Sequence, residues 1–541
     1  MTSSSTTRFR SVRVSLRDLL GASYVKAVCA SRAKLTGEKV AELKALAAEK
    51  VDLYPQAMHE RLTALLPSVG QPFGEGLTRS ARGAATAEFH ASTHVEAAPL
   101  GGFGYYRVGE DGRLYLISKS EHYHVSLGHS FPGYRLVGIA KGLGIPNATH
   151  NNTRGHITRT LEEELIRLAA GLRRADRVGL SRVVASRSRD VINRVLNLET
   201  GSLAAEAAIK MVLARFYRVQ GDSPPPRYEG RTPVIVVVGD TSGGLQGNYH
   251  GTAVLGQMLR GMWPQLLDQL QAKGLLLVRA IRPNSIEDLE RIVKEYDHGR
   301  FKVAGFFHEL VMMNYAAARL TDRFVRRAYR LCRQHDIPTA VDEIQTCAWS
   351  PQVYMYREYG VKPSIVVVGK GFSGGEYAAS RVLSNAEMDR LPQFGALITN
   401  GQEELASLAY LVTIRWVEAN AAVTERVGEY YEERLRELGD AYRQHIDRID
   451  GRRHLSAISF HEIGPAKAFA RHLNRAGLDI SVQSYKANCP PSALTKLPLT
   501  VGYETIDVVI EKMHSAMASI DTGGDCPMTD RANPSKSGAV R

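Results

Sequence analysis

The sequence predicts an α/β protein: a large part built on a mostly parallel central sheet, plus a smaller α+β part contributed by both chain ends. Three observations carry this. Short β-branched runs, Val234–Val238 (VIVVV), Val303–Phe307, Thr339–Val341 and Ile365–Val368, punctuate residues 175–400 and are separated by helical text. Each run is nearly all apolar, as expected of strands covered on both faces. Each also ends in unusual polar residues, Gly239-Asp240, His308-Glu309, Asp342-Glu343 and Gly369-Lys370, where parallel sheets present their ligand sites.

The remaining elements follow in order. Residues 1–80 read as a helical extension, with Val40, Leu43 and Leu46 along one side of GEKVAELKALAAEKV. Residues 81–174 form the first part of the smaller unit and a substrate entrance, with a strand near 112–117 and a helix over 162–172. The large unit occupies 175–400. A long helix from Glu404 to Asn420 opens the C-terminal part of the smaller unit, 401–520, and the small polar text of 521–541 reads as a disordered tail. The N-terminal MTSSSTTRFRSVRVSLRDLL lacks the apolar segment of a secretory signal, and no apolar run reaches membrane-spanning length.

Composition narrows the function. The five cysteines, Cys29, Cys332, Cys347, Cys489 and Cys526, are scattered and form no C-x-x-C pair, so neither a disulfide framework nor a zinc knuckle is expected. A reducing, cytoplasmic setting fits this usage. The net charge of +13 comes from arginines interleaved with acids, as in TDRFVRRAYRLCRQHD, a solvated-helix pattern rather than a nucleic-acid stripe. His90 and His94 lack the glutamate of a zincin helix, and no metal is expected. The GKG at 369–371 is not a nucleotide P-loop, because Ser364 stands at its first glycine and Phe372 follows where Ser or Thr is required.

What remains is a set of parts suited to one cofactor chemistry. Thr200-Gly201-Ser202 precedes an Ala-rich helix, a cradle for an anion. Tyr249-His250-Gly251-Thr252 follows the VIVVV strand and offers an aromatic ring. Asp342 ends one strand and Lys370 the next, 28 residues apart. The stretch VDEIQTCAWSPQVYMYREYGVKPSIVVVGKGFSGGEYAASRVL resembles the D-E-V-Q-T…G-K-G run of class III aminotransferases, which are fold type I pyridoxal-phosphate enzymes. LGHSFPGY at 127–134, TGSLAAEAAIK at 200–210, NYHGT at 248–252 and LPLTVGYETID at 497–507 are similar to family segments in the same order.

The resemblance implies a role for each part. Lys370 would hold pyridoxal 5'-phosphate as a Schiff base and move the substrate's proton. Asp342 would pair with the pyridinium nitrogen, Gln345 would contact the ring's phenolic oxygen, and Tyr249 would stack on the ring. Gly201 and Ser202 would bind the phosphate. Thr399 would reach the phosphate of a partner subunit, implying a homodimer with shared active sites. Glu309 matches a glutamate at the end of the preceding strand. The implied reaction moves an amino group between an amine or amino acid and an oxo acid. A racemase, epimerase or aminomutase on the same fold is the alternative. The sequence departs from the family where a glutamate–arginine pair handles substrate carboxylates: Asn314 and Leu494 occupy those places, with Lys496 the nearest cation. Leu203 replaces the glutamate of the phosphate-helix motif.

Overall fold

The computed structural model describes residues 7–484, 486 and 488–522; residues 523–541 of the expected tail lie outside them. Residues 7–69 are woven into the main core. Helices α1 (Ala22–Thr36) and α2 (Val40–Ala48) follow a two-stranded ladder between Arg13–Val14 and Val51–Asp52. Helix α2 buries Leu43 and Ala47 and leaves Val40 exposed at its first turn, so the stripe expected through Val40 is rotated. Upstream, Phe9 packs edge-on against Tyr54 and beside Trp416, while Thr7 and Arg10 bind Glu504 and Asn420 near the other chain end.

A three-stranded antiparallel sheet follows, β1 (Pro99–Phe103), β2 (Tyr106–Gly109) and β3 (Leu114–Leu116). Helix α3 (His156–Ala169) begins earlier than the apolar spacing alone suggests. Its free N-terminal amides are capped from far away: the buried Glu404 carboxylate accepts from Ile157 N at 2.8 Å, Thr158 N at 3.1 Å and Thr158 Oγ1 at 2.6 Å. Without such a partner those donors would be orphaned in the core.

The central sheet has seven strands: β4 (Arg194–Leu198), β5 (Thr232–Val238), β6 (Leu277–Ile281), β7 (Phe301–His308), β8 (Thr339–Asp342), β9 (Ile365–Val368) and β10 (Ser380–Ser384), in the order β4-β10-β9-β8-β7-β5-β6. The pairs β6–β5, β5–β7, β7–β8 and β8–β9 are parallel, and β10 runs antiparallel to both its neighbours. The expected parallel α/β sheet is therefore present. Alternating side chains feed two cores. Val236, Val238, Phe306, Val341 and Val366 pack into one, and Ile235, Val237, Phe307, Ala340 and Val367 into the other.

Helix α4 (Gly201–Leu213) lies on the second core through Ala204, Ala207 and Ala208, whose small side chains admit close approach to the strands. Helix α5 (Asp322–Gln334) is capped by Thr321 and buries Phe324, Val325, Ala328, Tyr329 and Cys332. Helix α6 runs from Glu404 to Ala441, well past Asn420, and buries nearly every residue of its first three turns. It leads to a four-stranded antiparallel sheet, β11 (Ile446–Arg452), β12 (Leu455–Phe460), β13 (Val482–Gln483) and β14 (Ser492–Lys496), ordered β11-β12-β14-β13. Helix α7 (Ile463–Arg475) packs against α8 (Tyr503–Asp521) beside it.

Substituting Glu404→Ala removes the acceptor of three hydrogen bonds and is expected to cost about 1–3 kcal/mol. Hydrogen exchange at the Ile157 and Thr158 amides should accelerate in this variant. Unchanged protection there would show that another group caps α3.

Candidate active site

Strand β8 delivers Asp342 to the carboxyl edge of the sheet, and β9 delivers Lys370 two residues past its end. Parallel pairing sets Asp342 opposite Val367 and Val341 opposite His308, so Glu309, Asp342 and Lys370 emerge at one edge. There they line a cavity of about 200 Å³, with Gly201, Ser202, Tyr249, Gln345, His122, Gly251 and Ile344. Of the residues predicted from sequence, Lys370, Asp342, Gln345, Glu309, Tyr249, Gly201 and Ser202 meet here. Thr399 does not: it is exposed beyond Gln393–Ala396 and lines no part of this cavity.

Asp342 is a buried carboxylate with defined partners. One oxygen faces Nδ1 of His250 at 3.0 Å, and the other accepts from the Ile344 amide at 3.1 Å. His250 is buried and packs edge-on against Phe307. Its neighbour Tyr249 faces the cavity, with the Arg260 guanidinium 4.7 Å from the ring centroid. Glu309 is 3% exposed, and its Oε2 is buried without a hydrogen-bond partner. Burial and the adjacent Asp342 charge push its carboxyl above the ordinary glutamate range.

The opposite wall is the start of α4. Thr200 caps the helix, its hydroxyl accepting from the Leu203 amide. Ser202 Oγ accepts from the Thr252 amide at 2.9 Å and lies 3.1 Å from Thr252 Oγ1. Gly251 has φ +93°, and a Cβ there would stand 2.5 Å from the Ser202 Cα, so only glycine lets this loop close over the helix end. The N-terminal amides and the helix dipole make this end attractive to an anion.

Lys370 adopts φ 35° in the turn after β9, a left-handed conformation costly for a residue with a Cβ. Burial pushes its amine down to about 8, while the Asp342 and Glu309 charges oppose that shift. The amine is therefore neutral and nucleophilic in a range where an ordinary lysine is still charged. Cys347 is buried, its thiol 3.4 Å from the Gly369 carbonyl oxygen, and is a packing group here.

The sequence presents His250 only as the neighbour of Tyr249, yet its 3.0 Å contact makes it the side-chain partner of Asp342. Its place beside Tyr249 in N-Y-H-G-T was the available signal. The three residues marking the departure from the family lie apart from the cavity lining. Asn314 is half-buried in a turn between two short strands. Leu494 is a core residue of β14, opposite Ala457. Lys496 is wholly buried behind Gln345. Among the described residues no group of three His, Cys, Asp or Glu is placed to hold a metal, and no helix is long and apolar enough to cross a membrane.

A wide parallel sheet with Lys370, Asp342 and a helix N-terminus at its carboxyl edge has the architecture of the fold type I pyridoxal-phosphate enzymes. The chain belongs to the class III aminotransferase family, whose model matches residues 101–517, and members of that family depend on pyridoxal phosphate. An ornithine aminotransferase of Schizosaccharomyces pombe is 29% identical over 205 residues, 36% of this chain and 42% of that protein. A leucine/methionine racemase of Thermococcus litoralis is 26% identical over 234 residues, 41% and 51% of the two chains. The chain thus spans about half the length of these curated relatives or less. The fold extends further: the solved amine transaminase of an uncultivated Pseudomonas species superposes over 82% of this chain and 99% of its own, at 19% identity and a TM-score of 0.63.

The depressed Lys370 amine gives a direct test. In cofactor-free protein, labelling of Lys370 by an amine-reactive reagent should rise with a midpoint near pH 8. Asp342→Asn should move that midpoint down, because the lost negative charge had favoured the protonated amine. Peptide mass spectrometry across a pH series reads both, and a midpoint near the ordinary 10.5 would contradict the arrangement.

Proposed function

We propose that this chain is a pyridoxal-phosphate-dependent aminotransferase that moves an amino group between an amine or amino acid and an oxo acid. The observation that carries the reading is the convergence of Lys370, Asp342 and the α4 N-terminus on one cavity. The cavity suits the cofactor on its own evidence. Glu309 brings a buried carboxyl oxygen without a partner, Gly251 lets the Tyr249 loop close on the α4 N-terminus, and Asp342 is held in place by His250.

In this reading Lys370 is the covalent anchor, and the α4 amides with Ser202 hold the phosphate. With the cofactor bound, Asp342 would keep the ring nitrogen protonated, Tyr249 would cover a ring face, and Gln345 would meet the phenolic oxygen. The bound ring supplies an electron sink for the pair released at the substrate's amine-bearing carbon. Lys370, its amine poised near neutrality, takes the proton from that carbon and returns it. Where the proton goes back decides the outcome. With the cofactor bound, amino transfer and racemisation would differ in where the Lys370 amine delivers that proton. The racemase relative keeps the second outcome as the alternative reading.

A second cavity, of about 460 Å³, shares His122 with the first and is lined by Glu121, His124, His129 and Glu376. No lysine or arginine lines it, and Arg107 beside it is neutralised by Glu121 and Asp479. An entrance of carboxylates and imidazoles favours an amino donor whose far end is neutral or basic over one with a second carboxylate. The described cysteines are free thiols, which fits a cytoplasmic location.

The same reading makes the enzyme a homodimer. Thr399 lies away from its own chain's cavity, and Val254, Met262, Trp263 and Leu266 are exposed apolar residues downstream of the Tyr249 loop, a surface for a second copy. Sedimentation equilibrium should return twice the 59.5 kDa chain mass; a monomer would remove Thr399 from the site.

The loaded protein should absorb in the visible range, and Lys370→Ala should lose both the borohydride-fixable adduct and more than about 10³-fold of turnover. An amino donor supplied without an oxo acid should release one equivalent of oxo acid per site. Deuterium uptake from solvent without that release would select the racemase.

A further inference from the structure

A second lysine stands behind the cavity, and none of the roles above uses it. Lys496 closes β14 and is fully buried. Its Nζ donates to the Tyr123 carbonyl at 3.1 Å and to Gln345 Oε1 at 3.3 Å, and sits 3.8 Å from the Trp349 ring centroid. Among the described residues no carboxylate is among the groups that shift it. A lysine this deep ordinarily has an acid for company. Here two carbonyl oxygens and an indole face stand in its place, and burial pushes the amine well down from its usual range.

What its partners do sets the role. Gln345 lines the cavity, and its amide has one accepting and one donating end. A carbonyl oxygen only accepts, so with Oε1 turned to Lys496 the Nε2 hydrogens are the end left for the cavity. Tyr123 belongs to a strained segment in which Ser120, Glu121 and Tyr123 have φ of 48°, 55° and 65°, conformations that cost about 1–2 kcal/mol per residue. Lys496 grips that segment three times: its amide donates to the Ser118 carbonyl at 2.9 Å, its carbonyl accepts from Ser120 Oγ at 2.6 Å, and its side chain reaches Tyr123. Between the gripped residues lies His122, which lines both cavities.

The geometry points to Lys496 as a positioning residue for the cofactor site: it orients the Gln345 amide so that its N–H groups face the cavity, and it pins the strained His122 segment beside it. This rests on the pyridoxal-phosphate reading and goes beyond it. It also gives Lys496 a different task from gripping a substrate carboxylate, since its donors are committed behind the cavity wall. A donor aimed at the phenolic oxygen stabilises negative charge there. The pH at which the loaded protein changes its visible absorbance is thereby held low.

The test is a pH titration of that absorbance in the holoenzyme. K496M should move the midpoint upward by about one unit, Q345M should move it similarly, and K496M/Q345M should move it no further than either alone, because the two act through one contact. Asp342, Glu309, Cys347, His122 and His124, which sense the Lys370 amine, are unchanged throughout; Lys496 senses it too, so Q345M, which keeps that lysine, separates the contact from the charge. K496Q keeps a donor in a shorter, uncharged chain that fits the same space, and should shift the midpoint less than K496M. An unchanged midpoint in K496M, additive shifts in the double variant, or equal shifts in K496Q and K496M would each overturn the assignment. If K496M does not load cofactor, K496Q against Q345M decides: a shift in K496Q as large as in Q345M overturns it, and a smaller one supports it. Absence of any visible band in the unaltered protein would instead overturn the functional reading, and this inference with it.

Discussion

Asp342 and Lys370 meet because two short strands pair in parallel, and the rest of the site is arranged around that pairing. Backbone hydrogen bonds set Asp342 against Val367, which leaves Lys370 just beyond the end of β9. Both strands are buried on both faces, and a slip of one residue would exchange the side chains feeding the two cores. The apolar packing of Val341, Val366 and Val368 on one side, and of Ala340, Ile365 and Val367 on the other, therefore also fixes which polar residues reach the cavity. Helix α4 brings its N-terminus to the same edge because its alanines lie flat on the second core.

The alternation is visible in two adjacent carboxylates. Asp342 points into the cavity and meets His250. Glu343 is directed elsewhere, where it accepts from the Met355 and Tyr356 amides and from Thr346. Burial pushes Glu343 up to about 7, against the pull of those donors. Two neighbours of like chemistry thus have separate tasks, one tying down the 346–356 loop and the other serving the cavity. Since the loop also carries Trp349, which stacks on Lys496, the structural carboxylate supports the rear of the site as well.

Much of this was legible in the sequence, for physical reasons that also mark where legibility stops. VIVVV and IVVV announce strands because nothing but a doubly covered sheet accommodates such runs, and the observed strands extend them by at most two residues at either end. RVLNL, LVRAI and SRVLS carry no such signal, since β4, β6 and β10 mix polar residues into the pattern, and all three went unread. Beyond Asn420 the text turns rich in Glu and Arg and hides the continuation of α6, because those side chains sit on its exposed and half-exposed face. His250 and Asp342 are 92 residues apart in sequence, and only the β5–β7–β8 adjacency brings them together.

The departures from the family acquire a structural sense in the same way. Neither position expected to carry the family's glutamate–arginine pair holds a charge here: Leu494 joins the core of β14, and Asn314 occupies a turn. Among the described residues no acid is among the groups that shift Lys496, and its donors are taken by Gln345 and the Tyr123 carbonyl. A cation without a counter-charge is retained in a core only where its hydrogen bonds are satisfied. Here the groups that satisfy it are one cavity residue and the backbone of a strained segment whose His122 lines that cavity. The buried amine of Lys496 is thus tied, through Gln345 and the Tyr123 carbonyl, to the wall of the cavity.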